Sequence, residues 1–80
     1  MPTVLRKGPY RFYFYSHEPN EPPHIHVDSG DASAKFWLDG PQLARNLGFT
    51  ARQLQQLHRL VKLHRNDLWE KWHGYFGTTR

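Results

Sequence analysis

The stretch from His24 to Leu38, HIHVDSGDASAKFWL, decides the fold. Ile25 and Val27 alternate with His24 and His26, and Ala34, Phe36 and Leu38 alternate with Ser33, Lys35 and Trp37. Between them, Asp28-Ser29-Gly30 with Asp31 reads as a turn. A period of two on both sides of a turn marks two β-strands, each with one apolar face and one mixed face.

Working outward, residues 3–15 repeat the pattern. Val4 and Leu5 begin a strand, Lys7-Gly8-Pro9 turns the chain, and YRFYFY follows as a dense aromatic strand. Phe12 and Phe14 join the apolar face, and Arg11, Tyr13 and Tyr15 the mixed one. Residues 16–23, SHEPNEPP, read as a loop stiffened at its end by Pro22-Pro23. Beyond Gly40-Pro41, QLARNLGF is ambiguous between a short helical turn and an edge strand, and is taken as an extended or irregular connection.

From Thr50 the period changes. Thr50 and Gln53 form a capping box, with Phe49 placed as a hydrophobic staple. Leu54, Leu57, Val61, Leu68, Trp72, Tyr75 and Phe76 then fall within an arc of roughly 100° on a helix. The arc stays in phase across Asn66-Asp67, which predicts one long helix over about 51–75, ended by Gly77. A break at Asn66 is the alternative. The expected fold is therefore α+β: a small antiparallel sheet of about four strands, spanning about 3–38, packed on one long C-terminal α-helix. Residues 1–80 are read as a single domain.

Composition narrows the function classes. The chain has no cysteine, so neither disulfides nor thiolate ligands are available. No apolar run is long enough to span a bilayer, and the N-terminus lacks the pattern of a signal peptide. A cytoplasmic protein with no membrane role is expected. The net charge is +4, unevenly placed. Residues 1–43 hold four cations (Arg6, Lys7, Arg11, Lys35) and five carboxylates (Glu18, Glu21, Asp28, Asp31, Asp39). Residues 44–80 hold seven cations (Arg45, Arg52, Arg59, Lys62, Arg65, Lys71, Arg80) against Asp67 and Glu70. Such a basic half suits an acidic partner, nucleic acid or protein, and equally suits a solvated helix face.

One helix covers one side of a small sheet. Arg11, Tyr13, Tyr15, His24, His26, Lys35 and Trp37 are then left together on the other side, and contiguous exposed aromatics mark an interaction site. Several readings compete for that face. Two histidines at i, i+2 on a strand converge as metal ligands, but no third ligand is evident. In a metal-free, ribonuclease-like site, His24 and His26 would be acid and base, with Lys35 stabilising anionic charge. Tyr13, Tyr15 and Trp37 would stack on nucleotides, while Arg11, and Arg59 and Lys62 from the helix, would meet phosphates. The remaining reading is a docking face or homodimer interface in which the histidines only hydrogen-bond. No cofactor and no metal is assigned. On the helix, His58 and Arg65 sit at the rim of the apolar arc, and His64 lies within it as a core histidine.

Three segments, RFYFYSHEPNEPPHIHV (11–27), AKFWLDGPQLARNLGFTARQL (34–54) and HRNDLWEKWHGYF (64–76), resemble a small bacterial family, domain of unknown function 4160. The similarity runs from Met1 to Gly77. Its most specific element is Pro22-Pro23-His24-x-His26-Val27, supported by Lys35-Phe36-Trp37 and by Trp72-His73 with Tyr75-Phe76. The resemblance implies the toxin half of a toxin–antitoxin module whose partner is a small antitoxin of the domain of unknown function 2442 type. RNA or the ribosome is the target class that such a toxin implies. It nominates His24, His26, Lys35, Trp37 and Trp72 without assigning them roles.

Overall fold

The structure, a computed structural model, describes residues 3–14 and 21–76, except for the side chains of Tyr75 and Phe76. Tyr15, the loop residues 16–20 and the expected helix end at Gly77 lie outside the described residues. The chain forms an antiparallel meander of five strands in sequence order, followed by two helices. The strands are β1 (Thr3–Lys7), β2 (Tyr10–Tyr13), β3 (His24–Ser29), β4 (Ala32–Trp37) and β5 (Gln42–Leu47). The helices are α1 (Ala51–Leu63) and α2 (Arg65–Phe76). The class is α+β, with one more strand and one more helix than the sequence pattern predicts.

Two-residue loops, Gly8-Pro9 and Gly30-Asp31, join β1 to β2 and β3 to β4. Gly8 and Gly30 have φ of 56° and 58°, followed in each case by a residue that is not at positive φ. That is the sign pattern of a type II′ turn, whose twist matches the flanking strands and whose first position favours glycine. The Pro-Pro segment also has a backbone role. Proline has no N–H to offer, yet the Pro23 carbonyl still accepts from Leu38 N–H at 3.0 Å, carrying the β3–β4 ladder one residue further.

The expected apolar face is observed in full. Phe12, Phe14, Ile25, Val27, Ala34, Phe36 and Leu38 are all buried, against Phe49, Leu57, Val61, Leu68 and Trp72. Thr50 caps α1 as predicted: its hydroxyl accepts from Gln53 N–H at 3.1 Å, and the Gln53 side chain accepts from Thr50 N–H at 2.9 Å. A cap of this kind contributes about 1 kcal/mol.

Two expectations are corrected. QLARNL is a true edge strand, β5, tied to the start of α1 where Asn46 exchanges two 3.1 Å hydrogen bonds with the Phe49 backbone. The single long helix is broken, at His64 rather than Asn66 (φ −100°, ψ 13°). An unbroken helix over 51–75 would run about 37 Å, nearly twice the roughly 20 Å of a six-residue strand. It could not keep one stripe on this sheet. The break lets α2 seat Leu68 and Trp72, and Arg65 Nε anchors it by donating to the Leu38 carbonyl at 2.7 Å. His64 itself is half-buried, and its Nε2 is buried without a hydrogen-bond partner. Among the described residues, no helix is long and apolar enough to cross a membrane.

Candidate functional site

Register places the mixed face in rows. Tyr13, His26, Lys35 and Arg45 stand side by side on β2, β3, β4 and β5. Arg11, Asp28, Ser33 and Leu47 form the next row, and His24, Trp37 and Gln42 the row on the other side. Strict alternation would have put Ala44, not Arg45, beside Lys35. The β4–β5 pairing slips between Lys35 and Phe36, so that Phe36 faces Leu43 while Lys35 faces Arg45. Ala44 is the extra residue of a β-bulge, and the bulge re-aims Arg45 and Leu47 onto the mixed face.

The centre of the face is already occupied by its own contacts. The Tyr13 phenol donates to Asp28 Oδ1 at 2.9 Å, and the Arg11 guanidinium lies 4.6 Å from the centre of the Tyr13 ring and 3.8 Å from Asp28 Oδ2. The His26 ring stacks on Tyr13, with centroids 5.3 Å apart and planes at 19°. Tyr13 is only 4% exposed, so it is a support for His26 rather than a platform for a base. Lys35 Nζ is bonded to Glu21 Oε1 and lies 4.7 Å from the centre of the Trp37 ring. Trp37 remains half-buried.

The two histidines differ. His26 is half-buried and lines the face, whereas His24 is 0% exposed. The His24 ring packs against Trp72 at 4.8 Å, His26 at 5.0 Å and Trp37 at 5.8 Å. Its Nδ1 lies 2.9 Å from the Pro22 carbonyl, an acceptor, so Nδ1 carries the proton and donates it. Alternation assigns His24 to the mixed side, but its ring is buried in contact with Trp72 of α2. A ring closed off in this way orients His26 and does not meet a substrate arriving from solvent. Among the described residues, no group of three or more His, Cys, Asp or Glu side chains is placed to share a metal ion.

A cleft of about 180 Å³ opens beside His26, lined by Tyr13, His26, Ser33, Lys35, Arg45 and Leu47. Arg59 and Lys62 do not join it. With Gln55 and His58 they line a separate groove on α1, the helix that covers the opposite, apolar face. His58 Nε2 there donates to the Pro41 carbonyl at 3.1 Å. Arg45 and Leu47 are the site residues that alternation misses. The only trace of them in the sequence is their i, i+2 spacing within QLARNL.

The family model described as Domain of unknown function (DUF4160) matches residues 10–73. No curated protein and no solved structure matches the chain.

Proposed function

The chain belongs to the DUF4160 family, and on that premise we propose that it is the toxin half of a toxin–antitoxin pair, acting on RNA through the mixed face of the sheet. The observation that carries this reading is the cross-strand row His26, Lys35 and Arg45 beside an open cleft. In this reading one imidazole and two cations meet a single phosphodiester. In this proposal His26 takes the proton from the ribose 2′-hydroxyl as its oxygen attacks phosphorus and gives it to the 5′-oxygen that leaves, while Lys35 and Arg45 balance charge developing on the phosphorus-bound oxygens. His24 and Tyr13 hold His26 in place, and Trp37 offers a ring edge to a neighbouring base. The cognate antitoxin, of the domain of unknown function 2442 type, would silence the protein by covering this face.

A second reading has its own support. Leu43 and Leu47 are 44% and 56% exposed on edge strand β5, as befits a module that docks a protein or ribonucleoprotein without chemistry.

Binding of labelled single-stranded RNA across a salt series tests the proposal. One phosphate neutralised in the cleft gives a slope of log K against log salt of about −0.7. A protein that binds no RNA at low salt contradicts the RNA reading and leaves docking.

A further inference from the structure

Lys35 and Arg45 are direct cross-strand neighbours. Like charges in that position repel and weaken a sheet. The bulge at Ala44 creates the pairing, because regular pairing would have put a methyl group opposite Lys35. The two cations are also compensated unequally. Lys35 is held by the Glu21 carboxylate, whereas Arg45 makes no hydrogen bond or ion pair among the described residues. Both line the 180 Å³ cleft, together with Ser33 and His26.

We infer that this cleft is the seat of one phosphate group, with Arg45 as its main ligand, and that Glu21 is a built-in competitor which the phosphate displaces from Lys35. The inference deepens the reading above and rests on it only for the source of the phosphate, an RNA backbone rather than the free ion. A guanidinium suits the seat because its planar fork meets two phosphate oxygens at once, while Lys35 adds a mobile point charge. Glu21 suits the competitor's part because its side chain is 43% exposed. The Lys35 side chain is only 15% exposed, so the pair is open to water on the carboxylate side, where screening weakens it. An anion that also engages Arg45 therefore takes Lys35 from it. With no anion bound, Glu21 keeps Lys35 neutralised and against Trp37.

The test is titration calorimetry with two probes, inorganic phosphate and a short single-stranded oligouridylate. Each is added to the full chain and to Glu21→Gln, Arg45→Gln and Glu70→Gln, the last removing one negative charge from α2, outside the cleft. Glu21→Gln is expected to bind both probes at least about threefold more tightly than Glu70→Gln, and Arg45→Gln to lose about tenfold or more. If Glu21→Gln binds no more tightly than Glu70→Gln, the competitor is overturned. If Arg45→Gln matches the full chain, the seat is overturned. Either result leaves the RNA reading standing where the oligonucleotide still binds. The expected pattern with phosphate alone supports the seat, assigns it to the free ion and removes the RNA reading. No binding of either probe by Glu21→Gln overturns the seat outright.

Discussion

Trp72→Ala is expected to cost about 3–5 kcal/mol of folding stability. The indole is 3% exposed, and its ring contacts tie α2 to the sheet, edge-on to Phe14 at 5.3 Å and tilted against His24 at 4.8 Å. Its loss empties a cavity in the core and uncovers the buried histidine. A domain of this length has a total stability of only about 4–12 kcal/mol. The variant should therefore lose about a quarter or more of that total. Urea unfolding followed by circular dichroism measures the loss. A cost below about 1 kcal/mol would show that α2 does not depend on this anchor, and the account of His24 as a covered residue would fail with it.

His26→Ala carries the largest expected effect on activity. The ring is half-buried on the sheet surface, so its removal leaves the core intact and unfolding little changed. Among the described residues, it is also the one imidazole that borders the cleft. If it transfers the proton in phosphodiester cleavage, the rate falls about 10²- to 10⁴-fold, and growth arrest on induced expression disappears. RNA affinity changes little, because Lys35 and Arg45 carry the charge. The docking reading makes the opposite prediction. There, Trp37→Ala does more harm than His26→Ala, because aromatic anchors carry interface energy. Rates and affinities for the two variants, each checked for folding, separate the readings.

These predictions depend on features that the sequence shows unequally. The apolar face from Phe12 to Leu38 is legible because alternation is a property of the pleat itself, and every member is buried. The Thr50–Gln53 cap is legible because it is local. Strand β5 is not, since all six of its residues are exposed and its phase reverses at Ala44. An edge strand is made by its neighbour's open hydrogen bonds, which leave no apolar signature in its own residues. The break at His64 is hidden because Leu57, Val61, Leu68 and Trp72 stay in one arc across it. The candidate site follows the same division. Alternation correctly groups Arg11, Tyr13, His24, His26, Lys35 and Trp37 on one side of the sheet. It says nothing of which side chains pack against that side, so the burial of His24 against Trp72 and the clamping of Tyr13 emerge only from tertiary packing. Arg59 and Lys62 fall on the helix as read, but line a groove of their own and do not meet the cleft.

The central claim is that the cleft beside His26 is the RNA-contacting surface. Amide shift mapping of the isotope-labelled protein during titration with single-stranded oligouridylate tests it most directly. The account predicts that the largest shifts fall on Tyr13, His26, Ser33, Lys35 and Arg45, with α1 nearly silent. Shifts concentrated on Gln55, Arg59 and Lys62 instead would move the functional surface to the helix and contradict it.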